Sequence, residues 1–220
     1  MLPGRRVAPA NPVLAALGRA DQEALRFLRT RGHSRPIETA MKALGHAGEF
    51  AAAWAAIGAI GGSIDHRRRG RWLAAAATGP AAIGINYAVK VTVGRERPLI
   101  EEHPPLGRAP TKLSFPSAHA TSSIAGATAL GRVEPRARPV LFALAAAICI
   151  GRPYLGMHYP SDVLAGAMLG TVLGSLVPGL GAAPREEPPF AHPGDADEPS
   201  HGDGEVTPAP TVVDPAARTA

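Results

Sequence analysis

The sequence predicts an all-α, integral-membrane bundle of about five transmembrane helices behind an N-terminal amphipathic helix. Three observations predict it. Five uncharged, largely apolar segments follow one another at residues 50–64, 72–89, 120–131, 139–151 and 163–183. They are rich in Ala and Gly rather than Leu, which suits the close backbone approach of helices packed in lipid. Polar, charged stretches recur at their ends. If the segments cross alternately, Lys90, His119, Arg152, His158 and Asp162 all fall on one face of a bilayer. The loops DHRRRGR (65–71) and RVEPRAR (132–138) then fall on the other.

Each element can be justified in turn. Residues 13–31 set Leu14, Leu17, Leu25 and Leu28 among charges at near-helical spacing, an amphipathic helix packed on the body or lying at an interface. A short apolar stretch after Arg5 and Arg6 is interrupted by Pro9 and Pro12, so no cleaved signal peptide is expected. A second helix is expected to begin near Ile37 and run into the first apolar segment. As a helix, 72–89 would reach about 27 Å against a hydrocarbon core of about 30 Å. Segment 139–151 would span only about 20 Å, so its helix should continue past a charged end. Periodicity alone also fits a soluble helical bundle, and the mean hydropathy is only +0.02.

The charge is uneven. The net +5 divides into +11 over residues 1–181 and −6 over 182–220. A basic body can serve nucleic acid, anionic lipid or a phosphorylated substrate. Aromatics make up 5% and no basic stripe alternates with them, so a nucleic-acid platform is not expected. Cys149 is the only cysteine, which excludes disulfides and cysteine-based metal sites. Three units follow: 1–36 (amphipathic helix and linker), 37–183 (membrane domain), and 184–220, a Pro, Gly and acid-rich tail expected to be disordered. His192 and His201 in that tail are read as solvated bystanders.

Three motifs carry chemistry. In KVTVGRERP (90–98), Lys90 closes an apolar helix and Pro98 pushes Arg97 out of helical geometry toward a partner. Lys90 also reads as an interfacial anchor. Arg95 and Glu96 read as solvated loop charges. In PSAH (116–119), Ser117 is a natural N-cap, yet a helix N-terminus also receives anions, and His119 could protonate a leaving oxygen. In GRPYLGMHYPSD (151–162), Arg152 offers a planar fork for phosphate oxygens. Asp162 reads either as a helix-start acid or as a carboxylate bonding one ring nitrogen of His158, leaving the other free to attack phosphorus.

These three motifs resemble the three-part signature of the type 2 phosphatidic acid phosphatase (PAP2) superfamily: Lys-x6-Arg-Pro, Pro-Ser-Gly-His and Ser-Arg-x3-Gly-x-His-x3-Asp. The likeness extends over about residues 40–180. It implies an α-helical core that holds phosphate without a metal or other cofactor. By that resemblance Lys90, Arg97 and Arg152 bind phosphoryl oxygens, helped by Ser117 and the Ala118 N–H. His158 would form a phosphohistidine, His119 would protonate the leaving group and Asp162 would orient His158. Ala118 stands where the family has glycine, and Gly151 where it has serine, so one hydroxyl donor is absent. RERP, LSFPSAHATSS and the short amphipathic N-terminus resemble an actinobacterial branch whose substrate is a polyprenyl-linked phosphosugar of cell-wall arabinan synthesis.

The function so implied is hydrolysis of a lipid phosphomonoester in the cell membrane by a multi-pass enzyme. Other substrates for the same site are undecaprenyl diphosphate, phosphatidic acid and phosphatidylglycerol phosphate. Vanadate-dependent peroxidases share the site type but are soluble and larger. A reading of another class is a non-catalytic lipid-binding or transport protein, with helix-end charges lining a pathway. The complete set of His119, His158 and Asp162 speaks against it. The arginines of loops 65–71 and 132–138 make those loops cytoplasmic and the motif face extracytoplasmic. Seven arginines and Lys42 within 1–46 pull the other way.

Overall fold

The computed structural model describes residues 12–100, 102–177 and 179. The readings made for residues 1–11 and for the acidic tail, with His192 and His201, lie outside the described residues. Seven helices form. They are α1 (Pro12–Thr30), α2 (Arg35–Ala47), α3 (Ala52–Ile64), α4 (Arg69–Val93), α5 (Ala118–Val133), α6 (Arg138–Tyr154) and α7 (Pro160–Ser175). Short 3-10 turns lead into α3, α4 and α6. Among the described residues there is no strand, only an isolated antiparallel bridge between Glu96 and Leu113.

The first four apolar segments fall on α3 to α6; the fifth, 163–183, begins on α7, which ends at Ser175, and residues 178 and 180–183 lie outside the described residues. Among the described residues, however, no single helix is long and apolar enough to cross a membrane by itself. Helices α3, α5, α6 and α7 have 13, 16, 17 and 16 residues. At about 1.5 Å per residue they fall short of a ~30 Å core. α4 has 25 residues, but Gly, Thr, Pro80 and its basic first turn dilute its hydropathy. The run from α2 through α3 passes the length and composition test only as a pair bent by 54°. The bend sits at the 3-10 turn, where Phe50 and Ala51 both have positive φ.

α5 is the central helix, packed against α4, α6 and α7. Its contact with α7 runs along Gly166, Gly170 and Gly174, spaced four apart on one face. A Cβ at Gly166 would lie 2.6 Å from the Ser117 carbonyl oxygen, and one at Gly174 2.6 Å from that of Ala125. Only glycine lets the two backbones approach this closely. The same approach sets the Ser117 N–H 2.9 Å from the Asp162 carbonyl oxygen, so the starts of α5 and α7 are tied together. At the opposite end Arg68 joins the two arginine-rich loops, bonding Asp65, Glu134 (3.1 Å) and the Val133 carbonyl (2.8 Å).

Candidate active site

Helix ends build the site. α4 stops at Gly94, whose positive φ of 67° turns the chain while its N–H bonds the Lys90 carbonyl. The turn sends Arg95 and Arg97 back across the bundle end. Arg97 donates from Nε to the Thr111 carbonyl (2.9 Å) and from Nη1 to the Met157 carbonyl (2.7 Å). Its Nη1 also lies 3.0 Å from His158 Nε2. Arginine only donates, so Nε2 must accept and the proton of the neutral ring sits on Nδ1. Burial lowers the proton affinity of Arg97, with Asp162 opposing.

His158, in the loop between α6 and α7, is only 2% exposed. Burial comes first in pushing its pKa down to about 3; Asp162 opposes, and the charges of Arg97 and Arg152 add to the fall. The ring is therefore neutral, as a nucleophile requires. Its Nδ1 stands 3.7 Å from Asp162 Oδ2, too far for a hydrogen bond. Ser114 fills the gap: its hydroxyl oxygen lies 3.3 Å from Nδ1 and donates to Asp162 Oδ2 at 2.5 Å. The expected direct Asp162–His158 bond is thus relayed through a serine. Asp162 is fully buried, and its Oδ2 also accepts from the Tyr159 N–H (2.9 Å).

Lys90, Arg97, Ala118, His119, Arg152 and His158 line one cavity of about 290 Å³, whose lining also includes Phe50, Ile83 and Tyr87. A second, more polar cavity of about 490 Å³ shares Glu49, Arg108, His119 and Arg152 and adds Lys42 and His46. Arg152 is 6% exposed, and its Nε is buried with no protein partner. A charged donor left open beside a cavity suits an anion. His119 Nε2 faces the Gly45 carbonyl at 3.1 Å, which places its proton there because a carbonyl only accepts.

Two expected phosphate ligands sit differently. Lys90 lines the cavity, yet its ammonium donates to three carbonyls, of Leu113, Ser114 and Pro116, at 3.0–3.3 Å. It holds the 113–116 loop and offers its charge more than free donors. Ser117 is fully buried and absent from the cavity wall; its hydroxyl accepts from the Ala120 N–H as the α5 cap. Among the described residues no group of His, Cys, Asp and Glu could hold a metal.

Sequence reasoning missed several members. Ser114 lies within the LSFPSAH run, and its spacing before PSAH was the available signal. Arg95 is not a solvated loop charge: it stacks 4.0 Å from the Tyr159 ring centroid and donates to Asp162 Oδ1 at 2.8 Å. Gly45 on α2 belongs to no motif, and nothing in its local sequence marks it.

Residues 70–182, which contain every member of the three motifs, match the PAP2 superfamily. The chain belongs to that superfamily. It is 38% identical over 143 residues to the decaprenylphosphoryl-5-phosphoribose phosphatase of Mycobacterium tuberculosis, covering 64% of this chain and 78% of that protein. To the protein of that name from Mycolicibacterium smegmatis it is 38% identical over 133 residues, covering 59% and 71%. The fold is similar to that of the transmembrane PAP2-type phosphatidylglycerolphosphate phosphatase of Bacillus subtilis. That likeness has a TM-score of 0.61 at 24% identity, covering 74% of this chain and 84% of that one. Aquifex aeolicus LpxE gives a TM-score of 0.58 at 21% identity, covering 71% and 93%. The PAP2 protein described here is a membrane phosphatase of a type that needs no metal.

Proposed function

We propose that this PAP2 protein removes the terminal phosphate from a phosphorylated polyprenyl sugar, decaprenylphosphoryl-5-phosphoribose being the best match. The supporting observation is the hydrogen-bonded row Arg97–His158–Ser114–Asp162 at the wall of a cavity shared with His119 and Arg152. The mycobacterial relatives carry that substrate in their name. The apolar lining residues Phe50 and Ile83 suit a prenyl chain, and Lys90, Arg97 and Arg152 suit a phosphate.

The chemistry runs in two displacements. A phosphoryl group between Arg97 and Arg152 draws the Arg97 fork onto its oxygens, with the Lys90 charge behind. His158 Nε2 attacks phosphorus with its lone pair while the ester P–O bond breaks. The departing oxygen takes a proton from His119; burial lowers that ring's pKa to about 4, so the bound phosphate dianion must draw the proton onto it before the ester breaks. The Nδ1 proton of His158 is held by Ser114, and through it by Asp162, which stabilises positive charge developing on the ring. Water then gives a proton to the neutral His119 and attacks the phosphohistidine. The P–N bond breaks, inorganic phosphate leaves and His158 returns. The Ala118 N–H, at the start of α5, is a further donor for a phosphoryl oxygen.

The same reading puts the site on the extracytoplasmic face of a multi-pass protein, because the Arg68 loop and the 132–138 loop share the opposite, arginine-rich end. The experiment is phosphate release by purified protein in detergent with EDTA. A short-chain prenyl-phosphoribose 5-phosphate, prenyl diphosphates and short-chain phosphatidic acid are compared. Turnover of the phosphosugar that survives EDTA and is lost in His158→Ala is expected. Activity abolished by EDTA, or retained by His158→Ala, would overturn the mechanism; a preference for phosphatidic acid would overturn the substrate.

A further inference from the structure

Asp162 is held from a second side, by residues no motif includes. Arg95 Nη1 donates to Asp162 Oδ1 at 2.8 Å and to the Ser161 hydroxyl at 2.7 Å. Arg95 Nη2 donates to Asp21 Oδ2 at 2.8 Å. Asp21 belongs to α1, and its side chain is 9% exposed. It also accepts from the Ser161 N–H (2.9 Å) and hydroxyl (2.5 Å). Asp21 therefore caps the start of α7 from another helix, satisfying an N–H that the helix cannot bond itself. The backbone of Arg95 adds a third tie: its carbonyl accepts the Ser114 N–H at 2.7 Å. One residue thus fixes both the carboxylate and the serine that relays it to His158.

We propose that Asp21 and Arg95 are a positioning pair for the reaction, through which α1 sets the orientation of Asp162 and the tautomer of His158. The physical reason is steric and electrostatic together. Asp162 has two oxygens and must present Oδ2 to Ser114. Arg95 occupies Oδ1 and so blocks rotation of the carboxylate. Arg95 itself could swing into solvent, being about a third exposed, but Asp21 and the face of Tyr159 hold its fork flat. Removing Asp21 strips Arg95 Nη2 of its carboxylate and leaves the side chain held by Nη1 and the Tyr159 face alone. Neither residue reaches the phosphate cavity, since neither lines it. Their effect must pass through Asp162.

The inference rests on His158 and Asp162 acting as proposed above, and the test separates the two. Asp21→Asn, Arg95→Gln and Arg95→Lys are purified in detergent with the parent protein, and phosphate release from short-chain phosphatidic acid and the prenyl phosphosugar is followed. Asp21→Asn should lower kcat about 10-fold and Arg95→Gln about 100-fold, with KM within about twofold, as expected for misplaced catalytic groups. Arg95→Lys should recover part of the loss. 15N NMR of the histidines should show one tautomer for His158 in the parent and a mixture in Arg95→Gln, a readout that general destabilisation would not move. Unchanged kcat in folded Asp21→Asn, a loss confined to KM, or an unchanged tautomer in Arg95→Gln each overturns the inference. If Asp21→Asn fails to fold, the two Arg95 variants and the NMR decide alone. Activity retained by His158→Ala would instead sink the underlying site.

Discussion

Arg97 Nη1 meets His158 Nε2 at 3.0 Å, so in the resting protein a cation occupies the lone pair that must later attack phosphorus. The contact works as a rehearsal of the bound state. Together with the Ser114–Asp162 relay on Nδ1 it holds the tautomer with Nε2 unprotonated, and it keeps the guanidinium where phosphoryl oxygens will arrive. Arg97→Lys should cost more than charge accounting suggests, because lysine cannot bond Thr111, Met157 and His158 at once. We expect kcat/KM to fall by about 100-fold or more, measured as phosphate release in detergent. A loss under fivefold would count against this role.

Ser114 is the next test. Ser114→Ala removes the hydroxyl between His158 and Asp162 and leaves Nδ1 and Oδ2 3.7 Å apart. A fall in kcat of about 10- to 100-fold with little change in KM is expected. Rates equal to the parent's would mean that Asp162 orients His158 without the serine.

Acid should destabilise the protein through His158. Its pKa in the fold is about 3 against an ordinary 6.5, chiefly because the ring is buried. Between those values the unfolded chain binds a proton that the folded one refuses. Stability therefore rises with pH through that window and is lost as pH falls from about 6.5 toward 3. Melting temperatures taken across the window in detergent should fall more steeply for the parent than for His158→Gln. Parallel curves would contradict a neutral, buried His158.

Gly45 couples α2 to the site. A Cβ there would stand 2.9 Å from Arg152 Nη1, the movable end of a side chain. Gly45→Ala should displace that fork rather than unfold the bundle. KM is expected to rise about tenfold, near the value of one charge-assisted hydrogen bond, with the melting temperature almost unchanged. A large drop in melting temperature with normal KM would show that Gly45 serves packing alone.

Gly166→Val tests the α5–α7 seam. The added carbon would meet the Ser117 carbonyl at 2.6 Å, a backbone atom that cannot step aside. Overpacking of this kind costs about 1–3 kcal/mol, and the Ser117–Asp162 backbone tie should open with it. Lower thermal stability and lower kcat together are expected; parental values for both would show that the seam can relax.

Much of this was readable from the chain alone. The five uncharged segments located helices α3 to α7, because long apolar runs without charge have few other ways to satisfy their backbone in lipid. The motif residues Lys90, Arg97, Ala118, His119, Arg152 and His158 were readable too, and the fold brings all six to one cavity. Their chemistry is local: a cation at a helix end and a histidine before a helix start are features of sequence order. Crossing length was less readable: among the described residues α3, α5, α6 and α7 are too short, and α4 is long enough but too dilute in apolar residues.

What the chain by itself determined, then, was which residues carry charge and lone pairs, and at which helix ends they stand. What only the tertiary structure decided was who touches whom across that end. Ser114 comes between His158 and Asp162, and Ser117 turns inward as a cap. Asp21 reaches Arg95 from 74 residues away. The physical reason is range. Capping and helix termination act over a few neighbours, whereas a hydrogen bond selects its partner only after glycine-to-backbone packing has set α7 against α5.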